Sequence, residues 1–198
     1  MTTRDEILSA AVHEIRTRDE ASFRVTVVAK QAGCATSVLY HYFGSREGLI
    51  DAALVQLANQ EAGIIRSLSA LTEEFAESYQ DFESFLVVYT KTAHSPERRA
   101  SRAVRARLLG AAQTRPALRE EAREFGEQTN EINESILSRL SGRGLIRPDV
   151  DIRALSLCLR ALDFGHALDD LNEEPRVDLD AWIHLMRVLA SALAPPKS

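Results

Sequence analysis

Apolar residues recur every three or four positions along almost the whole chain, and this periodicity is the feature that most limits the fold. It is typical of helices with one buried face, whereas no window of four or more residues alternates convincingly as a half-buried strand does. Short breaks rich in glycine, proline and capping residues separate the periodic segments. The sequence therefore predicts an all-α protein of about nine helices, three short and six longer.

Several residues mark the predicted beginnings of helices. Thr3 and Glu6 form a Thr-x-x-Glu capping box for the first helix, and Ser45 can cap the fourth. Beyond residue 70 the predicted helices are longer. Their starts are expected at Thr72, Ser95-Pro96, Thr114-Arg115-Pro116, Asp151 and Asp180.

Composition and charge exclude several classes of protein. The 198 residues are 45% hydrophobic, which is ample for a core, and the net charge of −5 provides no global attraction to nucleic acid. Cys34 and Cys158 have neither zinc-site nor disulfide spacing, which is typical of a reducing compartment. No apolar run approaches the ~20 residues of a membrane span, and no signal-peptide core is present. We expect a soluble, cytoplasmic protein with no cofactor, no metal site and no membrane contact.

The segment Val25 to Phe43 has the layout of a helix-turn-helix, in which two short helices are joined by a few residues that include glycine. Gly33 is placed to make the turn, and Ala29 is small enough for the helices to cross closely. The second helix begins with small polar residues, Thr36 and Ser37, which can approach base edges in a DNA groove. The pattern therefore predicts contact with double-stranded DNA.

Side chains around this unit are the candidates for DNA contact. Tyr40, His41 and Tyr42 flank the second helix at the height of the phosphates, although a buried aromatic pair is the alternative for the two tyrosines. Arg46 begins the next helix, where its charge adds to the helix dipole in attracting phosphate. The predicted DNA-binding residues are Arg24, Thr26, Thr36, Ser37, Tyr40, His41, Tyr42 and Arg46.

Four spaced groups of residues within positions 4–50 carry a resemblance to a known family. They are Ile7-Leu8-x-Ala10-Ala11, Val28-Ala29-x-x-Ala32-Gly33, Leu39-Tyr40-x-Tyr42-Phe43 and Ser45-Arg46-Glu47-x-Leu49. The segment resembles the DNA-binding domain of the TetR family of transcriptional regulators. Arg24 departs from the family, which often has a capping threonine there, and Arg46 stands where lysine is usual. The stretch 144–151, before an apolar penultimate helix, is similar to the ligand and dimer domain of that family.

The resemblance implies a ligand-responsive repressor that binds a palindromic operator as a homodimer and is released by a small-molecule effector. It implies a helix-turn-helix DNA-binding domain at residues 1–46 and an effector-binding and dimerisation domain at residues 47–198. A regulator without a small-molecule effector, controlled by a protein or constitutive, and an activator are the alternatives. We expect no enzyme, because the sequence contains no recognisable catalytic constellation.

Aromatic and aliphatic residues of the larger domain are candidates for an effector cavity, and they favour a hydrophobic or aromatic effector. Plain core is the alternative for such a helical stripe. The predicted effector-binding residues are Tyr79, Phe82, Leu86, Tyr89, Arg105, Leu108, Phe125 and Phe164.

An arginine run on one predicted helix has two interpretations. Arg98, Arg102 and Arg105 share a helix face that could bind an acidic effector or approach DNA. The alternative is a solvated face whose arginines pair with the glutamates at positions 120–124 of the following helix.

The predicted helix after Asp151 is apolar on more than one side, with Leu157 and Phe164 among the residues of its second side, so it must be covered twice. Together with the last helix it is predicted to form a four-helix dimer interface. The predicted interface residues are Leu155, Leu159, Leu162, Trp182, Met186 and Leu189.

Overall fold

The computed structural model describes residues 2–18, 20–172 and 174–196, without the side chains of residues 61, 62, 64–66 and 68–75. Within these residues it contains nine α-helices and no strand, which confirms the predicted all-α class. The helices are α1 (Thr3–Thr17), α2 (Val25–Gln31), α3 (Thr36–Phe43), α4 (Arg46–Ala76), α5 (Phe82–Ala93), α6 (Pro96–Thr114), α7 (Pro116–Gly142), α8 (Ile152–Asp169) and α9 (Leu179–Leu193).

The first of two compact units, hereafter the first unit, consists of residues 1–61 and 107–125. In it α1 packs against α2 and α3. The α1 stripe Ile7, Ala11 and Ile15 is fully buried, as its spacing of four residues predicts. The end of α6 belongs to the same unit, where the Arg107 guanidinium donates to the carbonyl oxygen of Ile15. The domain boundary expected after residue 46 stays a prediction. The compact unit itself continues past that residue to residue 61 and also includes residues 107–125.

The second unit consists of residues 62–106 and 126–198. Its helices α5 and α9 pack against each other, because both have an apolar stripe with three- and four-residue spacing. The rings of Phe82 and Phe85 stack with centroids 5.8 Å apart. The buried cluster of this unit contains Phe82, Phe85, Leu86, Ile136, Leu137, Leu140, Ile146, Leu155, Leu159, Met186 and Ala190.

Four predicted helix starts are confirmed. The Ser45 hydroxyl accepts from the Gly48 N–H at 2.9 Å and so caps α4. Asp151 caps α8 by accepting from the N–H groups of Arg153 and Ala154, at 2.8 and 2.9 Å. Pro96 and Pro116 are the first residues of α6 and α7, where the missing proline N–H would have no helical partner in any case.

Two predicted caps are wrong by one or two positions. The capping box at the N-terminus uses Thr2 and Asp5, whose mutual hydrogen bonds measure 3.0 and 3.3 Å, because Thr3 is already helical. The last helix is capped by Asp178, which accepts from the Ala181 N–H at 2.7 Å. Asp180 instead lies in the first turn, where its negative charge still complements the helix dipole.

The helix start predicted at Thr72 is also wrong. Residue 72 lies inside α4, which continues to Ala76, and its side chain is outside the described part of the chain. α5 begins only at Phe82, after Asp81 accepts from the Ser84 N–H at 2.7 Å. The apolar spacing continues across the break between the two helices, so periodicity alone could not locate it.

Candidate functional site

Helices α2 and α3 form the helix-turn-helix unit that the sequence predicts. Gly33 has φ of +65°, which glycine adopts without steric cost, and the Cys34 N–H donates to the Ala29 carbonyl at 3.0 Å. Ala29 and Leu39 are buried, one on each helix. The turn is thus closed by glycine, and the two short helices are fixed by small and aliphatic side chains.

The outward face of α3 presents the predicted DNA-binding side chains to solvent. Tyr40 and Tyr42 are 46% and 44% exposed, so the alternative of a buried aromatic pair is wrong. Ser37 and His41 are exposed and Thr36 is half-buried. No side chain caps α3, which leaves its N-terminal N–H groups oriented for an anion.

The start of α2 belongs to the same unit as α3 and carries two further predicted DNA-binding residues. Arg24 and Thr26 are both exposed. Arg24 occupies the N-cap position in extended conformation and makes no capping hydrogen bond, in keeping with the departure from the family's threonine. Contact of these residues with DNA stays a prediction.

Arg46 has a structural function that sequence reasoning missed. Its guanidinium donates to the carbonyl oxygens of Glu20 and Phe23, to the latter at 3.4 Å, and lies 3.4 Å from the Glu47 carboxylate. It also lies 5.9 Å from the centre of the Phe23 ring. Two of its three nitrogen atoms hold the α1–α2 loop and the third pairs with Glu47, so any contact with a DNA phosphate, still a prediction, would have to share this side chain with its structural partners.

The eight predicted effector-binding residues are divided between the two units and differ in burial, and their contact with an effector stays a prediction. Phe82 and Leu86 are fully buried in the core of the second unit, whereas Phe164 is exposed. Leu108 and Phe125 belong to the first unit. Of the predicted set, Tyr79 and Tyr89 are partly buried against the core, and the Tyr89 hydroxyl donates to the Leu159 carbonyl at 3.1 Å.

Two small cavities border α8 in the second unit. One, of about 110 Å³, is lined by His94, Arg99, Arg102, His166, Asp169, Asp170, Asn172 and Pro175. The other, of about 10 Å³, is lined by Tyr89, Thr90, Ala93, Leu162, Asp163, His166, Trp182 and Met186. The smaller has room for about one water molecule.

The arginine run of α6 is not a solvated face paired with α7. Arg102 and Arg105 are buried, and both approach the buried carboxylate of Asp163 on α8, at 3.4 and 2.5 Å. Arg102 also makes a two-pronged contact with Asp170, at 2.7 and 2.8 Å. The alternative that placed its partners at residues 120–124 is therefore wrong.

The electrostatics of Asp163 reflect this setting. Burial opposes ionisation of the carboxyl, but the nearby charges of Arg98 and Arg105 outweigh it and hold its pKa below the ordinary value. His166, one turn further along α8, has its pKa lowered by burial and then by His94 and Arg102. The two histidine rings are 4.4 Å apart, and His166 also contacts the Trp182 ring at 4.6 Å.

The predicted dimer residues lie mostly inside the protomer. Leu155, Leu159 and Met186 are buried in its core, and Leu162 and Trp182 pack against that core. Leu189 alone of the predicted set is well exposed. For Leu155, Leu159 and Met186 the prediction is wrong, because a side chain enclosed by its own chain has no surface left for a partner. An interface role for Leu162, Trp182 and Leu189 stays a prediction.

A different set of apolar side chains is exposed on α8 and α9, and we call this set the α8–α9 face. Leu157, Leu168 and Leu171 are 64%, 78% and 85% exposed. The complete face consists of Leu157, Phe164, Leu168 and Leu171 on or just after α8, and Leu185, Val188 and Leu189 on α9. Spacings of seven, four and three residues place the α8 members on one side of the helix, a signal that the sequence contained.

None of the helices in the described part of the chain is long and apolar enough to cross a bilayer. Likewise, among the residues with described side chains, no three histidine, cysteine or acidic groups gather as a metal site requires.

The glycine turn, the exposed α3 face and the larger helical unit together define an all-α protein of the helix-turn-helix class. Residues 7–53 match the family model of bacterial regulatory proteins, tetR family. This match confirms the resemblance seen in the sequence, and it is confined to the N-terminal segment.

One curated relative extends this likeness. The HTH-type transcriptional regulator AlkX of Mycobacterium tuberculosis is 34% identical over 84 residues, which amount to 41% of this chain and 40% of AlkX. The chain thus matches less than half the length of this relative.

Solved structures share the fold over nearly the whole chain. FadR from Bacillus subtilis, in complex with stearoyl-CoA, has a TM-score of 0.59 at 20% identity and covers 94% of this chain and 97% of its own. A transcriptional regulator from Saccharomonospora viridis, in complex with choline, has a TM-score of 0.68 at 17% identity and covers 96% and 93%. At these identities the similarity shows the fold.

Proposed function

We propose that the protein is a transcriptional regulator that binds a palindromic DNA operator as a homodimer and is released by a small-molecule effector. The observation that carries the proposal is the exposed face of α3, where Ser37, Tyr40 and His41 point away from the buried Leu39. A helix of this kind fits the major groove, where short polar side chains reach base edges and longer ones reach phosphates.

The charge distribution supports DNA contact at this end of the chain. Residues 1–50 contain six basic and six acidic side chains, whereas the whole chain has a net charge of −5. The N-terminal segment is therefore the less acidic part, and its affinity for DNA is expected to fall steeply as salt rises.

The α8–α9 face supports a homodimer. Exposed apolar side chains grouped along two helices are typical of a protein interface, and a second copy presents the same face through a two-fold axis. The two-fold symmetry of such a dimer matches the symmetry of a palindromic operator, with two α3 helices about 34–36 Å apart.

An effector fits the second unit best. Two solved relatives of the fold bind stearoyl-CoA and choline, and this unit contains the partly buried Tyr79, Tyr89 and Trp182. A ligand would release DNA if it binds more tightly to the conformation with low DNA affinity.

The test of the DNA function is fluorescence anisotropy of the full chain with DNA fragments that flank its own gene, over a salt series. We expect saturable binding to one palindromic fragment and its loss at high salt. Arg24→Ala should weaken this binding, whereas Arg176→Ala, the same change of charge at an exposed site of the second unit, should not. Equal affinity for every fragment in a selection from random DNA would contradict the proposal.

The test of the homodimer is light scattering on a sizing column. Leu168→Glu places a charge in the α8–α9 face and should yield monomers that no longer bind the operator. Leu109→Glu, at an exposed leucine of α6, is the matched control and should leave a dimer. A Leu168→Glu protein that remains dimeric would exclude this face.

A further inference from the structure

The polar stripes of α6 and α8 meet in the interior of the second unit. Asp163 of α8 accepts hydrogen bonds from three arginines of α6: Arg98 at 3.3 Å, Arg102 at 3.4 Å and Arg105 at 2.5 Å. Each of the three guanidinium nitrogens of Arg102 has a partner, since Arg102 also binds Asp170 and the carbonyl oxygen of Ala93. Arg98 and Arg105 have donors to spare.

Arg160 adds a fourth guanidinium to this interior. It is half-buried and donates to the neutral side-chain oxygen of Asn130 on α7. Among the described residues no carboxylate pairs directly with it. Burial lowers the pKa of Arg160, and the charge of Arg105 lowers it further, while Tyr89, Asp163 and Glu127 partly oppose this. Arg98, Arg102 and Arg105 therefore already use the two buried or half-buried carboxylates Asp163 and Asp170, the exposed Arg99 also lies 3.8 Å from Asp170, and Arg160 is left without a carboxylate of its own among the described residues.

Unused hydrogen-bond donors are concentrated on the same two stripes. Within the described part of the chain, the buried Nε atoms of Arg98, Arg105 and Arg160 and the buried hydroxyls of Ser101 and Ser156 have no partner. Ser101 and Arg105 are four residues apart on α6, as are Ser156 and Arg160 on α8, so each pair lies on one helix face. Buried polar atoms without partners are rare and costly, and this set consists of N–H and O–H groups around an excess of positive charge.

We propose that these groups bind the carboxylate of a small organic acid, with Arg105 and Arg160 as its two cationic partners. The inference rests on the proposed function, because the acid would be the effector. A carboxylate brings the missing negative charge, and its planar pair of oxygens matches the fork of a guanidinium.

The surroundings indicate where the body of the acid would lie. Tyr89 borders both the arginine cluster and the smaller cavity, whose apolar lining includes Leu162, Trp182 and Met186. That cavity has a volume of about 10 Å³, so these side chains must move apart to admit an aliphatic or aromatic group. Such a movement is what a ligand needs in order to favour one conformation over another.

The experiment measures binding of sodium benzoate and sodium hexanoate to the full chain, without DNA, by calorimetry and thermal unfolding at constant ionic strength. Benzamide, sodium chloride and inorganic phosphate are the reference solutes. At least one carboxylate should bind saturably and raise the melting temperature, whereas benzamide, chloride and phosphate should not. Stabilisation no greater than that by chloride, or a response to phosphate alone, overturns the proposal.

Two substitutions on α8 separate a ligand contact from a structural role. Arg160→Gln should weaken carboxylate binding about tenfold to hundredfold, while the free protein melts no lower than the wild type because a buried unpaired charge is removed. Arg153→Gln, at an 87% exposed arginine of the same helix, should bind as the wild type does. Unchanged affinity in Arg160→Gln, or a lower melting temperature of that free protein, contradicts the assignment.

Measuring DNA affinity separately distinguishes the two proposals. If the protein binds the operator but no carboxylate, the proposed regulatory function stands and the proposed acid site is rejected. If the protein binds a carboxylate but no operator, the acid site is supported and the proposed regulatory function is rejected.

Discussion

Arginine is used in opposite ways in the two units. In the first unit, Arg115 bridges Glu20 and Asp51, the latter at 2.8 Å, and Arg46 holds backbone carbonyls of the loop before α2. Both of these arginines meet acceptors that match them. In the second unit, Arg98, Arg105 and Arg160 retain buried nitrogens without partners in the described part of the chain. An arginine whose nitrogens all have partners holds a segment of the chain in place. A buried arginine with an unpartnered nitrogen can still bind an additional acceptor, such as a ligand carboxylate.

Burial sets the energetic scale of this difference. Arg115 and its two partners all retain a quarter to a third of their side-chain exposure, so solvent screens their attraction. Asp163 is 1% exposed at its side chain, and there each lost partner leaves a charge that water cannot compensate. The largest effects of mutation are therefore expected in the second unit.

Asp163→Asn is expected to have the largest effect. It removes the negative charge shared by three arginines and replaces one accepting oxygen by an amide donor. Breaking a buried ionic cluster on one side costs about 3–5 kcal/mol of unfolding free energy. Urea unfolding followed by circular dichroism measures the loss. Asp149→Asn removes an exposed carboxylate that pairs with Arg147 and should leave the urea midpoint almost unchanged; equal midpoints for both variants would contradict a buried cluster.

Arg46→Ala is expected to have a smaller effect, on the first unit. The loop before α2 loses two hydrogen bonds from a partly exposed guanidinium, for a cost of about 1 kcal/mol after allowance for screening. DNA affinity should fall as well, since the loop positions α2. Arg24→Ala is the counterpart, because it should reduce DNA affinity and leave stability unchanged. If Arg46→Ala unfolds at the wild-type midpoint, its contacts do not stabilise the loop.

The pH dependence is expected to be the smallest effect. The pKa of His166 is lowered in the folded chain from its ordinary value of 6.5, first by burial and then by His94 and Arg102. The unfolded chain therefore takes up this proton more readily, and stability falls as pH decreases from above 6.5 through the folded pKa. Unfolding midpoints between pH 8 and pH 5 measure the slope. His166→Gln should flatten it, whereas His184→Gln, at an exposed histidine of α9, should not.

Sequence reasoning succeeded where a feature depends on local chemistry. The turn at Gly33, the cap at Ser45 and the start of α8 at Asp151 each follow from backbone preferences of a few neighbouring residues. Local competition explains the small errors, since Thr2 precedes Thr3 and Asp178 precedes Asp180 as residues of capping type.

Sequence reasoning failed where the environment of a side chain depends on residues far away in the sequence. Two apolar faces of α8 are equivalent in sequence, and only the packed structure shows that the face with Leu159 is core and the face with Leu168 is exposed. The arginine spacing on α6 predicts one shared face, but its partner Asp163 lies 58 residues beyond Arg105. The structural role of Arg46 was equally unpredictable, because it donates to backbone carbonyl oxygens, which every residue has.

The division of the first unit into residues 1–61 and 107–125 has a consequence for its synthesis. Domains generally begin to fold in N-terminal order while the chain emerges from the ribosome. This unit cannot be completed until residue 125 has emerged, by which time residues 62–106 are already exposed as well. A gene fusion that exchanged only the first 61 residues between chains of this fold would therefore separate these residues from the 107–125 segment that completes their unit.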